Sequence, residues 1–204
     1  MGNFWDKMAK SYDKSTEKYY HNANAKTISH TKQYCDKSKD ILDLGCGTGI
    51  IILDLTDAVN KITAVDASSK MIDFANQKKI KQGIENIDFS VKDISQLDFT
   101  QGKYDIITAF NLLLYLTNPE EILKKIYDCL PSGGYFISAT DCVGERFLLK
   151  TVMKPLSLLR IIPPMNYFTM ETLENAFIYA GFKIVFCENL HNMPPNYYVV
   201  AKKQ

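Results

Sequence analysis

Ile41-Leu42-Asp43-Leu44-Gly45-Cys46-Gly47-Thr48-Gly49 decides the reading of this 204-residue chain. A short apolar run that ends in a glycine cluster reads as a strand followed by a tight turn. Glycines at such a turn let the backbone approach a ligand with no Cβ in the way. In an open α/β sheet, ligands bind beyond the carboxyl ends of the strands, at the switch point beside the first strand. The spacing here is GxGxG. The dinucleotide pattern GxGxxG needs a third glycine where Ile50 stands, a residue that normally permits close helix–strand packing. An NAD-dependent oxidoreductase, suggested only by a shared fold, is disfavoured on that ground.

Outward from this turn, strand-like and helical runs alternate. A helical segment follows from about Gly49 to Val59, then strands over Lys61–Val65 (ending at Asp66), Ile87–Val91, Tyr104–Ala109 and Tyr135–Ala139. Ser68 or Ser69 can cap the helix carrying Met71, Ile72, Phe74 and Ala75, and Pro119 suits the first turn of a helix running to Leu130. This alternation predicts a parallel sheet with helices on both faces. Near the end, Thr169 can cap a helix that stops at Gly181. Phe182–Cys187 and Tyr197–Ala201, joined through Pro194-Pro195, then predict an antiparallel pair at the sheet edge. About forty residues rich in Lys and Tyr precede the first strand and read as helical.

Bulk composition narrows the class. With 24 Lys+Arg against 23 Asp+Glu, the net charge of +1 gives no reason to expect a nucleic-acid partner. The five cysteines include no Cys-x-x-Cys pair and no histidine cluster, which argues against a disulfide framework or metal site and fits a reducing cytoplasm. The N-terminal stretch mixes charges with aromatics and has no apolar signal-peptide core. The longest uncharged apolar run, Ile106 to Pro119, is too short for a transmembrane segment.

Two carboxylates fall where an adenosine ligand needs acceptors. Asp66 ends the second strand, where it can accept from ribose hydroxyls. Asp93 follows the third, where it can accept from the adenine amine, with Met71 and Ile94 able to sandwich the ring. Each of these aspartates taken alone is more often a structural cap of a loop or helix. Taken in order, the runs ILDLGCGTG, AVDASSKMI, VKDIS and KYDIITAFNLLLYL resemble the small-molecule type of class I S-adenosylmethionine-dependent methyltransferases. FWDKMAKSYD is similar to the opening helix that folds over the cofactor in many of them. The resemblance implies a Rossmann-like, seven-stranded, mostly parallel sheet with helices on both faces and an antiparallel last strand. It also implies a cofactor-binding set of Asp43, Gly45, Cys46, Gly47, Gly49, Asp66, Ala67, Met71, Asp93, Ile94, Asn111 and Leu112. In that set Asp43 would sit near the amino group of S-adenosyl-L-methionine, and Asn111 and Leu112 beside the reactive methyl; the product would be S-adenosyl-L-homocysteine.

A general base is needed only if the acceptor must lose a proton. Tyr115 stands where many relatives carry a histidine, and either orients an acceptor or packs against its apolar neighbours. Tyr12 and Tyr20 can reach over the cofactor or serve as core. His21 is the best-placed histidine for a base, and His30 and His191 read as structural or solvated. No proline motif follows the fourth strand at Asn111-Leu112-Leu113-Leu114-Tyr115, so a nucleic-acid base is disfavoured and a small, partly apolar acceptor is favoured. The domain plan is one unit over 1–204: a cap over 1–38, a cofactor core over 39–141, a lid over 142–168 and a closing helix and strand pair over 169–204. The lid is strongly apolar. It bears Arg146, Lys150 and Lys154 at four-residue spacing, then Arg160, with Glu145 as its one acid. It reads either as an amphipathic lid with a solvated basic stripe, or as part of a hydrophobic pocket or a surface for an anionic or membrane-associated substrate. Pro155 is expected to kink it. A non-catalytic module that binds S-adenosylmethionine for sensing or assembly is the alternative function.

Overall fold

The structure, a computed structural model, describes residues 2–97 and 99–204, with the side chains of Gly2 and Asn3 excepted. Seven strands form one sheet: β1 (Asp40–Leu44), β2 (Lys61–Asp66), β3 (Ile87–Val91), β4 (Ile106–Phe110), β5 (Tyr135–Asp141), β6 (Lys183–Asn192) and β7 (Pro195–Lys202). Their order is β3-β2-β1-β4-β5-β7-β6. The first five run parallel, and β7 is inserted antiparallel between β5 and β6. A hairpin connection permits only an antiparallel neighbour. β7 therefore enters the sheet reversed, and β6 becomes the edge.

Alternating side chains divide the sheet between two cores, as the period of two requires. Leu42, Leu44, Ile107, Phe136, Val199 and Ala201 face α3 (Pro119–Cys129) and α5 (Met170–Tyr179). Ile41, Ile106, Ile137, Tyr198 and Val200 face α1 (Gly2–Lys32) and the turn over Ile52–Ala58. α2 (Ser69–Gln82) packs beside α1. Caps set the helix starts. Ser68 Oγ accepts from Met71 N at 3.1 Å to open α2, and Thr169 with Thr172 forms a reciprocal capping box at α5. Gly181 follows α5 with φ 105°, a conformation that favours glycine.

The helix expected over Gly49–Val59 is instead a 3-10 segment, Ile52–Ala58. Ile50, Ile51 and Ile52 are β-branched and crowd a regular helix, and Ile51 supplies no side-chain cap. α4 (Phe147–Leu158) occupies the segment read as a lid. No residue of it is buried, and it continues through Pro155 to Leu158. No two cysteines are joined in a disulfide among the described residues. Among the described residues no helix is long and apolar enough to cross a membrane, and no group of His, Cys, Asp or Glu is arranged to hold a metal.

Candidate active site

The glycine turn closes β1 against β2: Cys46 N donates to Val65 O at 3.0 Å, and Gly47 N donates to Asp66 Oδ2 at 2.9 Å. Gly45 and Gly47 have φ 68° and 54°, in the left-handed region. A Cβ on Gly45 would stand 2.8 Å from Leu112 Cδ1, and one on Gly47 would stand 3.9 Å from Tyr12 Cε1. The turn is therefore pressed against the segment after β4 on one side and roofed by α1 on the other. Gly45→Ala combines a left-handed strain of about 1–2 kcal/mol with displacement of Leu112 into the cavity. Its expected result is about a tenfold loss of affinity for S-adenosylhomocysteine with the fold retained, checked by titration calorimetry and circular dichroism.

A cavity of about 480 Å³ opens over this turn, at the carboxyl ends of the strands. Gly45, Gly47, Asp66, Ala67, Met71, Asp93, Ile94, Asn111 and Leu112 all line it, as do Tyr12 and Tyr115. Asp43, Cys46, Gly49 and His21 do not. Asp43 is 2% exposed beneath the turn, where its Oδ1 accepts from Thr108 Oγ1 at 2.5 Å. Burial pushes its carboxyl up to about 7, against the Thr108 hydrogen bond and with help from the Asp66 charge. Cys46 is half-buried, and its thiol is pushed up mainly by burial. The hydrogen of Gly49 faces Leu53 and Phe89, each 3.1 Å from where a Cβ would be.

The expectation of His21 as a base is corrected by its position. His21 is exposed on α1, its Nδ1 lying 2.5 Å from Glu17 Oε1. Adjacent helical residues diverge by about 100°. Tyr20 takes the inward direction, donating to Asp141 Oδ2 at 2.7 Å, and His21 is left in solvent. His30 and His191 are structural: His30 Nε2 lies 2.9 Å from Glu188 Oε2, and His191 Nδ1 lies 3.0 Å from Pro194 O.

Asp66 accepts from Gly47 N with one oxygen and, at 2.8 Å, from Ser68 N with the other; burial raises its pKa. Asp93 Oδ1 accepts from Ser95 N at 2.9 Å and Ser95 Oγ at 2.6 Å. Both aspartates are thus structural caps that also face the cavity. Asn111 has φ 53°, and its Oδ1 accepts from Asn196 Nδ2 at 2.9 Å. The same Nδ2 donates to Asp141 Oδ1 at 2.7 Å. A non-glycine residue held left-handed by such a network at a cavity wall is strain of the kind that collects at functional sites.

α1 supplies a wall that sequence reading saw only in part. Trp5 lies edge-on to Tyr115, with centroids 5.1 Å apart, and to Tyr12 at 6.3 Å. Asp6 anchors this end by accepting from Ser68 Oγ at 2.6 Å and Lys70 N at 3.1 Å, at the positive end of α2. Asp13 accepts from Thr48 Oγ1 and, at 2.8 Å, from Lys78 Nζ. Trp5, Lys92, Leu116 and Lys125 line the cavity and carried no local signal. The helical spacing of Trp5, Tyr12 and Tyr20 would have shown that they share a face.

The strand order with its reversed β7, and the glycine turn beneath the cavity, define the class I S-adenosylmethionine-dependent methyltransferases. A family profile described as a methyltransferase domain matches residues 35–193, and the chain belongs to that family. The ubiquinone biosynthesis O-methyltransferase of Shewanella pealeana is 26% identical over 165 residues, covering 78% of this chain and 69% of that protein. A chain from the complex of a Haloferax volcanii methyltransferase activator with a methyltransferase superposes with a TM-score of 0.80 at 18% identity, covering 98% of this chain and 97% of that one. Phosphoethanolamine N-methyltransferase 2 of Haemonchus contortus, in complex with S-adenosyl-L-methionine, gives a TM-score of 0.72 at 16% identity, covering 88% and 52%.

Proposed function

We propose that this chain transfers a methyl group from S-adenosyl-L-methionine to the oxygen of a small, largely apolar acceptor. The observation that carries this reading is the shape of one cavity: a glycine floor flanked by two carboxylates, closed by the aromatic wall of Trp5, Tyr12 and Tyr115. The name of the Shewanella relative supports oxygen as the accepting atom.

The residues present fit the cofactor. Gly47 leaves the cavity floor open where a side chain would fill it, and Asp66 and Asp93 present carboxylate oxygens to the same space. Asp66 would accept from the ribose hydroxyls, Asp93 from the adenine amine, and Met71 and Ile94 would flank the ring. Asp43, one layer below, would act on the cationic end through its charge rather than by contact. S-adenosylmethionine, when bound, supplies an electrophilic methyl on a sulfonium centre. The protein's part is to hold the acceptor in line and keep water out, and positioning of this kind is worth roughly 7–11 kcal/mol.

Burial raises the pKa of Tyr12 to about 12 and also raises that of Tyr115, with Asp141 adding to both shifts. Both phenols therefore stay protonated at neutral pH and have an O–H to offer an acceptor. Their role is to orient an acceptor oxygen that enters as the phenolate, its proton already given up to solvent, so that the methyl leaves the sulfonium for an oxygen with no proton to lose. Tyr115→Phe removes one such O–H, so kcat/KM is expected to fall about tenfold while affinity for S-adenosylhomocysteine is unchanged. Equal kinetics for Tyr115→Phe and wild type would leave Tyr115 a packing residue.

The decisive experiment pairs calorimetry with transfer of labelled methyl groups to hydroxylated aromatics bearing alkyl tails of increasing length. Failure to bind S-adenosylmethionine would remove the reading altogether. Binding without turnover, even on cell extract, would instead favour a non-catalytic sensing or assembly module.

A further inference from the structure

We infer that α4 and the turn after it form a docking surface for an anionic lipid bilayer. The helix keeps Leu149, Met153 and Leu156 half-buried and presents a second apolar face to solvent. Phe147, Leu148, Val152, Leu158 and Leu159 are 77%, 80%, 60%, 83% and 70% exposed, and Ile161 beyond them is 59% exposed. A helix on a globular surface normally turns that stripe inward. Here the stripe faces out over the whole length of the helix, and no residue of α4 is buried. Contiguous apolar exposure of this kind marks an interaction site.

Charge selects the occupant. Lys150, Lys154 and Arg160 border the apolar face, and among the described residues none of them lies within ion-pair distance of a carboxylate. Glu145, the one acid of the segment, is engaged in capping α5 through Met170 N at 2.8 Å. Arg160 has φ 57° at the helix end, a conformation glycine adopts at less cost, so the cation is kept against local strain. Apolar side chains flanked by unpaired cations match the interfacial zone of an anionic bilayer, where the first enter the acyl boundary and the second meet the headgroups.

The surface is also placed to serve the cavity. α4 leaves the carboxyl end of β5, on the edge of the sheet where the cavity opens. Asn166, just beyond the patch, donates through its backbone N to Leu114 O at 2.6 Å and through Nδ2 to Leu116 O at 2.7 Å. That turn carries Leu112, Tyr115 and Leu116 of the cavity wall. Both ends of the patch are thereby fixed: Gly144 N donates to Phe168 O at 2.8 Å, and Arg146 donates to Asn192 O at 3.0 Å. A bilayer on α4 would lie beside the cavity mouth, within reach of a membrane-dissolved acceptor. The docking itself does not depend on the acceptor proposed above, and its test uses no turnover.

The test is co-sedimentation of the full chain with vesicles of phosphatidylcholine alone or with added phosphatidylglycerol. Wild type is expected to sediment with the anionic vesicles only, and to be released at about 1 M salt, where screening is nearly complete. Each cation removed should lower partitioning about fivefold, so Lys150→Gln, Lys154→Gln and Arg160→Gln together lower it about a hundredfold. Leu148→Glu with Val152→Glu should abolish binding, and affinity for S-adenosylhomocysteine in all variants confirms an intact fold. Wild type that binds S-adenosylhomocysteine but ignores anionic vesicles overturns the inference. So does equal binding to both lipids, or a stable dimer that Leu148→Glu with Val152→Glu dissociates while wild type stays off vesicles.

Discussion

Asp66→Ala is expected to weaken binding of S-adenosylmethionine by about a hundredfold or more, with the fold intact. The carboxylate would accept two ribose hydroxyls, and a hydrogen bond to a charged group contributes roughly 1.5–3 kcal/mol. At about 1.4 kcal/mol per decade, losing both costs two or more orders of magnitude. Asp66 also accepts from Gly47 N and Ser68 N, so alanine frees the glycine turn as well. Asp66→Asn separates the two effects, because the amide oxygen keeps one acceptor while the charge is lost; an intermediate affinity is expected. Burial already raises the pKa of Asp66, so the apo fold gives up little stability with the charge. Calorimetry on the three proteins checks this, and alanine binding within threefold of wild type would remove Asp66 from the site.

Asp43→Asn is expected to stabilise the apo protein at about pH 8 by up to about 4 kcal/mol. The sign follows from proton uptake. Asp43 has a folded pKa of about 7 against 3.8 for the free side chain, so between those values the folded state holds a proton that the unfolded state has lost. Stability therefore falls as pH rises from about 4 to about 7 and is level above that. Asparagine keeps an oxygen for Thr108 and removes the slope. Affinity for the cationic cofactor should show the opposite trend, rising through the same window in wild type, because bound positive charge favours the ionised carboxylate. In Asp43→Asn that rise should be absent. Urea denaturation and calorimetry between about pH 5 and pH 7 check both slopes, and parallel slopes in the two proteins would refute the assignment.

Most of the sheet and the glycine turn were legible locally. β1 to β3 and the glycine turn lie where the apolar runs and glycines placed them. Their signals are short-range: a strand repeats every two residues, a left-handed turn asks for glycine, and a carboxylate at a strand end stays at that end however the chain packs. Asp43 stands at the end of the first strand, and the residue before a turn can face either the ligand or the core. Only packing against Thr108 settles which.

What covers the site, and what is left uncovered, belonged to the tertiary structure. Trp5 meets Tyr115 across more than a hundred residues of chain, a pairing with no local signature. Tyr20 and His21 are equivalent in a helical pattern until Asp141 claims the tyrosine, and the histidine is then turned to solvent. α4 shows the same limit from the other side. Its sequence determined an apolar face bordered by cations, because helical periodicity alone sorts those residues. Only the fold decided that this face turns outward, because periodicity sorts residues around a helix axis but does not say which side of the axis the rest of the chain will cover.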